Sequence, residues 1–174
     1  MIDLSELGSL HPDLPDELVG AFQMYAAIAL ERQRHVSGVE FLVTVSNTLV
    51  NETIVWRKRT AKDASMLDMN RVTEDGAECL ALLVVARHRS WRAVRRLQSR
   101  LRQRADWLVE IPSGETLAFE VSGTESGPFE RRIREKKAQA EAAAQAGGAA
   151  ACVVRFLEPK AQLWSDHDPH TRSS

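Results

Sequence analysis

Two acidic residues, Asp106 and Glu120, stand fourteen positions apart on either side of a predicted turn. Residues 112–115, Pro-Ser-Gly-Glu, have the composition of a tight turn, so the flanking stretches are predicted to pair as an antiparallel hairpin. This pairing brings the start of one strand beside the end of the next, and the two carboxylates converge. Carboxylates ~4 Å apart repel by roughly 4 kcal/mol at an effective dielectric constant of about 20, which a divalent cation would offset. Mg²⁺ prefers a few carboxylates with water and phosphate oxygens, so the pair predicts a magnesium site.

Glu120 lies in an otherwise apolar stretch, residues 117–122, Leu-Ala-Phe-Glu-Val-Ser. Side chains alternate along a strand, so Ala118, Glu120 and Ser122 share one face. A buried carboxylate without a partner or a metal is costly, which favours a functional role for Glu120. The alternatives are a structural role for Glu120 and a turn role for Asp106 at the start of its strand.

Further charged residues flank this pair in sequence. Glu78 stands beside the apolar run 79–83 of a predicted helix and either assists the metal site or forms the exposed edge of that helix. Lys136 and Lys137 follow Glu135 in a second predicted helix. These lysines either reach the acidic pair or form a solvated face with glutamate partners.

The hydrophobic and turn patterns predict an order of elements for the whole chain. Helices are predicted at 16–35, 72–88 with Thr73 as N-cap, and 129–145. Strands are predicted at 39–45 and 53–59, which form a hairpin, then at 91–98, 106–111, 116–121, 151–157 and 161–164. Residues 60–70 are predicted to be a linker.

From residue 72 onward this order is αβββαβ, which resembles the core of the restriction-endonuclease-like nucleases, the PD-(D/E)XK superfamily. The resemblance covers residues 72–164 and implies that Asp106 and Glu120 bind Mg²⁺, with Glu78 as a further acidic ligand. The superfamily motif has a lysine two residues after the second acid, where this chain has Ser122. Some members carry that lysine on the following helix, which makes Lys136 or Lys137 the expected catalytic cation.

The middle of the chain is strongly basic. Residues 57–105 have a net charge of +8, against −6 for residues 1–56 and −3 for residues 106–174. Eight arginines fall within eighteen residues, namely Arg87, Arg89, Arg92, Arg95, Arg96, Arg100, Arg102 and Arg104. Arginine is suited to phosphate contacts and Trp91 could stack on a base, so this stretch predicts nucleic-acid binding, with Arg92 to Arg104 as the contact residues. The alternatives are a solvated surface and pairing with the acidic N-terminal region of another subunit.

Composition sets the class of protein. The chain has 174 residues, a net charge of −1 and 44% hydrophobic residues, which fits one domain with a small appendage. The acidic N-terminus predicts neither a secretory signal nor a transit peptide, and no apolar run predicts a membrane span. Cys79 and Cys152 lie in apolar runs and are predicted to be core thiols of a cytoplasmic protein.

The sequence therefore predicts an α/β protein with a restriction-endonuclease-like αβββαβ core and an N-terminal helix and β-hairpin. Residues 1–60 would form the N-terminal extension, which packs on the core or builds a homo-oligomer interface. Residues 61–165 would form the nuclease-like domain and 166–174 a flexible tail. The expected function is Mg²⁺-dependent hydrolysis of DNA. A catalytically inactive binding or assembly module and an oligomerising subunit are the alternatives.

Overall fold

A computed structural model describes residues 1–58, 67–97, 105–144 and 147–167. These residues form a mixed α/β fold with one eight-stranded sheet. The strands are β1 (Ile2–Asp3), β2 (Val39–Val45), β3 (Thr48–Val55), β4 (Arg92–Arg96), β5 (Trp107–Glu110), β6 (Thr116–Thr124), β7 (Ala149–Arg155) and β8 (Lys160–Ser165). The α-helices are α1 (Leu7–Leu10), α2 (Asp16–Arg32), α3 (Met69–Arg89) and α4 (Phe129–Ala143), and a 3₁₀ turn (Leu4–Glu6) precedes α1.

The strands run in the order β1-β3-β2-β8-β7-β6-β5-β4. Three neighbouring pairs are parallel, β1 with β3, β2 with β8 and β6 with β7, and the other four pairs are antiparallel. The predicted α/β class is confirmed, and the predicted sequence of helix, three strands, helix and strand is observed as α3, β4, β5, β6, α4 and β7.

The hairpin of β5 and β6 has the predicted turn. The Ile111 carbonyl accepts from the Gly114 amide at 2.9 Å, and Gly114 has a positive φ of 85°, which favours glycine. Trp107 pairs with Phe119 and Glu110 with Thr116 across the hairpin. This register places Asp106 level with Glu120, in the middle of β6.

Two elements start three or more residues before their predicted positions. Helix α3 begins at Met69, and its N-cap is Asp68, whose carboxylate accepts from the Asn70 amide at 3.0 Å. Thr73, the predicted cap, lies inside the helix and donates its hydroxyl to the Met69 carbonyl at 3.0 Å. Strand β3 starts at Thr48 instead of residue 53, because Ser46 and Asn47 both take positive φ angles and close a two-residue hairpin with β2.

The helices cover the two faces of the sheet. Helices α2 and α3 pack in the main core, where Phe22 meets Trp107 edge-on with ring centroids 6.1 Å apart. Helix α4 covers the other face, where Ile133 packs with Ala149, Ala151 and Val153 of β7. Polar groups that extend from β6 to the α4 side are therefore sheltered beneath a helix.

The N-terminal segment shares the same sheet, since β2 pairs with β8 from Leu42–Lys160 to Val45–Leu163. Cys79 and Cys152 are free and fully buried, as predicted for core thiols, and burial raises the pKa of the Cys152 thiol to about 12. Among the helices that the structure describes, none combines the length and apolarity needed to cross a membrane.

Candidate active site

Asp106 and Glu120 lie side by side. Because Trp107 pairs with Phe119, the residue before Trp107 comes level with the residue after Phe119. The Asp106 carboxylate is held in this place by the Val121 amide, which donates to Oδ2 at 2.8 Å. Glu120 is only 4% exposed, so the second carboxylate is buried under α4.

Lys136 reaches this acidic pair from α4. Its Nζ lies 2.6 Å from Oε2 of Glu120 and 3.6 Å from Oδ2 of Asp106. The next residue, Lys137, turns to the other side, where its Nζ lies 3.9 Å from Glu141 and 4.5 Å from the centre of the Trp164 ring. The structure thus brings together Asp106, Glu120 and Lys136, and it places Lys137 away from them.

The surroundings of Glu120 raise the pKa of its carboxyl group. Burial, and then the negative charge of Asp106, raise its pKa to about 7. The hydrogen bond and the charge of Lys136 act in the opposite direction but do not outweigh these effects. Lys136 alone therefore does not offset the burial of Glu120 and the charge of Asp106, and a further cation would favour the ionised form of Glu120.

Glu78 lies beside the pair on α3. Its Oε1 accepts from Nη2 of Arg96 at 3.0 Å, and its Oε2 accepts from the indole Nε1 of Trp107 at 2.9 Å. Burial, opposed by the Arg96 charge and reinforced by the Asp106 charge, raises the pKa of Glu78 to about 7. Glu78 therefore holds Trp107, the residue next to Asp106, while its carboxylate stays close to the acidic pair.

A cleft of about 230 Å³ opens beside Glu78, Asp106 and Lys136. Its lining includes Glu74 and Glu78 from α3, Asp106, Ser122 from β6, and Arg132 and Lys136 from α4. The sequence reasoning missed Glu74 and Arg132. A spacing of four residues places Glu74 on the helix face of Glu78 and Arg132 on that of Lys136, and this spacing is the signal that would have found them.

The predicted nucleic-acid-binding arginines are in different environments. Nη2 of Arg92 lies 3.0 Å from Glu110, and its Nε lies 3.7 Å from Asp13. Nη2 of Arg96 lies 3.0 Å from both Asp75 and Glu78. Arg92, Arg95 and Arg96 are all exposed. Arg100, Arg102 and Arg104 lie outside the described residues.

Trp91 is only 5% exposed, so the expectation that it stacks on a base is wrong. It packs in the main core because it and Ala93 point inward while Arg92 points outward.

Acidic and basic regions meet within one chain. Arg87 lies 3.1 Å from Glu52, and Arg92 approaches Asp13, so basic residues of the middle third pair with acidic residues of the N-terminal third. The sequence suggested that the basic region could pair with the acidic region of another subunit. The structure shows ion pairs between the two regions within one chain.

The predicted tail begins with residues that are bonded to the sheet. The Ala149 amide donates to the Asp166 carboxylate, and His167 lies 2.9 Å from the same carboxylate. The rest of this tail, residues 168–174, lies outside the described residues.

In the part of the chain that the structure describes, no group of three or more His, Cys, Asp or Glu side chains is arranged to hold a metal ion. Comparisons of the chain with protein-family profiles, with curated proteins and with solved structures gave no match.

Proposed function

We propose that this protein is a Mg²⁺-dependent nuclease that hydrolyses phosphodiester bonds of DNA. The observation that carries the proposal is the position of Lys136, whose Nζ lies 2.6 Å from Glu120 and 3.6 Å from Asp106. Two carboxylates and a lysine are the groups that the PD-(D/E)XK motif requires. In this proposal Lys136, on α4, takes the role of the motif lysine. The motif position itself is occupied by Ser122.

The arrangement of elements supports the same proposal. Asp106 immediately precedes β5 and Glu120 lies in β6, the second and third strands of the αβββαβ order. These are the strands on which the resemblance to a restriction-endonuclease-like core leads us to expect the metal-binding acids. Fold alone does not establish activity, so the proposal depends on the chemistry of the three side chains.

The donor set fits Mg²⁺. Asp106 and Glu120 offer carboxylate oxygens, and Mg²⁺ commonly binds through one or two carboxylates with water and substrate phosphate. The raised pKa of Glu120 is consistent with this fit, because a bound cation would counter its two causes, burial and the negative charge of Asp106. When bound, the ion would activate water and stabilise the charge on the phosphodiester.

The side chains of the protein have separate roles in this proposal. Asp106, fixed by the Val121 amide, and Glu120 would hold the ion. Lys136 would place its ammonium group next to the phosphoryl oxygens, where negative charge develops. Glu78 would keep Trp107, and with it the backbone at Asp106, in position.

DNA is the proposed substrate because of the arginine-rich stretch, in which Arg92, Arg95 and Arg96 are exposed. Arg100, Arg102 and Arg104 would extend this contact along the phosphate backbone. We further propose that the protein acts in the cytoplasm, where its two free, buried thiols would stay reduced.

A second candidate function is a catalytically inactive binding or assembly module on the same framework. The observation that favours it is the short Lys136–Glu120 ion pair, which would serve as internal neutralisation of a buried carboxylate. In that case Lys136 and Glu120 would matter for stability and not for cleavage.

Cleavage assays with variants of the two lysines distinguish these functions. Labelled duplex DNA, single-stranded DNA and RNA are incubated with the native chain, Lys136→Met and Lys137→Met, in Mg²⁺ and in EDTA. We expect the native chain and Lys137→Met to cleave DNA in Mg²⁺ only, and Lys136→Met to lose at least about a hundredfold in rate, as when a charge-stabilising donor is removed. Absence of Mg²⁺-dependent cleavage by the native chain on every substrate would favour the inactive module.

A further inference from the structure

Arg132 lines the same cleft as Asp106 and Lys136, and it lies one helical turn before Lys136 on α4. Its guanidinium Nη1 donates to the hydroxyl Oγ of Ser122 at 3.2 Å. Ser122 follows Glu120 on the same face of β6, so this hydrogen bond lies next to the proposed metal site.

The two cations of the cleft differ in their partners. Lys136 is bound by the carboxylates of both Glu120 and Asp106. Arg132 is half-buried, and within the described ranges its guanidinium has Ser122 as its side-chain partner and forms no ion pair. The preceding arginine, Arg131, is exposed and lies 3.4 Å from Glu135. Arg132 is therefore a sheltered positive charge that still has donors available for an anion.

The chemistry of these donors indicates the anion. A guanidinium group has five N–H donors in a planar fork that matches two oxygens of a phosphate. The hydrogen bond to Ser122 uses one donor and fixes the orientation of the fork. A free carboxylate would be disfavoured here, because Glu74, Glu78 and Asp106 already line the cleft.

From this geometry we infer that Arg132, oriented by Ser122, binds a phosphate oxygen of the nucleic-acid backbone in the cleft. The inference rests on the proposed nuclease function and names the residue that holds its substrate. It also assigns a role to Ser122, which occupies the motif lysine position: the hydroxyl positions an arginine in place of supplying a charge. The cleft then has an acidic side for the metal and a cationic side for the phosphate.

The test compares Arg132→Ala and Arg132→Lys with Arg131→Ala, a matched loss of one arginine from the same helix. Binding of a short fluorescein-labelled DNA duplex is measured by anisotropy in Ca²⁺, and cleavage of the same duplex is measured in Mg²⁺. Loss of a charge-assisted hydrogen bond predicts binding about ten- to a hundredfold weaker in Arg132→Ala, with Arg131→Ala close to native. Arg132→Lys keeps the charge but loses the fork, so intermediate binding is expected. Circular dichroism confirms that each variant is folded.

The outcomes separate this inference from the proposed function. If the native chain cleaves DNA and Arg132→Ala matches Arg131→Ala in binding and rate, the inference is overturned and the nuclease proposal stands. If the native chain neither binds nor cleaves the duplex, both are overturned. Weaker binding in Arg132→Ala, with Arg132→Lys between it and the native chain, supports the phosphate role.

Discussion

At the scale of single residues, the buried carboxylate of Glu120 makes the stability of the fold depend on pH. Glu120 lies beside Asp106, and the ammonium group of Lys136 forms ion pairs with both carboxylates. Its pKa is raised from 4.5 to about 7, first by burial and then by Asp106, so the folded protein favours its neutral form. The unfolded chain has no such preference, and this difference makes stability depend on pH.

The variant Glu120→Gln tests this dependence in EDTA, where no divalent cation is bound. The native protein should lose stability relative to the variant as pH rises from about 4.5 to about 7, because ionised Glu120 is less favourable in the folded state. Urea unfolding at pH 5 and pH 8 gives the two free energies of unfolding. Between pH 5 and pH 8, we expect the free energy of unfolding of Glu120→Gln to rise relative to that of the native chain by a few kcal/mol at most.

Glu141→Gln is the exposed control. Its free energy of unfolding should differ from that of the native chain by the same amount at pH 5 and at pH 8. If the free energies of unfolding of Glu120→Gln and the native chain differ equally at pH 5 and pH 8, the raised pKa of the buried Glu120 carboxylate is contradicted.

The acidic pair could be predicted from the sequence, whereas the choice of lysine could not. Asp106 and Glu120 converge because a local turn sets the register of a hairpin. Lys136 and Lys137 follow Ile133 by three and four residues on α4, and the side chain of Ile133 packs on β7. Small rotations of the helix decide which lysine faces β6 and which faces Trp164, and only tertiary packing sets that rotation.

At the scale of elements, the close approach of β6 and α3 positions the site. A Cβ on Gly123 would lie 2.3 Å from the Thr73 carbonyl oxygen and 2.9 Å from Cβ of Ala77. The backbone of β6 therefore contacts α3 directly, next to Ser122 and one turn before Glu78. Glycine at this position allows the two walls of the cleft to meet.

Gly123→Ala should destabilise the protein by ~1–3 kcal/mol, because backbone atoms would have to move to accept the methyl group. The matched control is Gly20→Ala in α2, where an added Cβ meets no atom within 4 Å. Alanine there should stabilise the helix by about 0.5–1 kcal/mol. Chemical denaturation measures both. Equal effects of the two substitutions would contradict the close packing of β6 on α3.

Strand β4 departs from strict alternation. Trp91 was expected to stack on a base but is buried, whereas the apolar Val94 is 39% exposed. A register shift between Ala93 and Arg95 in the pairing with β5 interrupts the alternation. Such a bulge depends on the partner strand and leaves no clear signal in the sequence.

At the scale of the whole molecule, one sheet unites the N-terminal segment with the predicted nuclease-like region. The pairing of β2 with β8 joins Leu42 to Lys160, residues far apart in sequence, which local patterns do not predict. The segregated charges are also partly balanced inside the molecule, through Arg87 with Glu52 and Arg92 with Asp13. Net charge by region therefore overstated the basic surface that is free to meet a partner.

The central claim is that Asp106 and Glu120 are paired to bind a divalent cation. Isothermal titration calorimetry with Mg²⁺ tests it, first on the protein alone and then with a DNA duplex whose linkages resist hydrolysis. Asp106→Asn and Glu120→Gln are compared with Glu110→Gln, a carboxylate at the other end of β5 that contacts Arg92. We predict binding to the native chain and to Glu110→Gln that is lost in the two site variants. No Mg²⁺ binding to the native chain, with or without DNA, would contradict the claim.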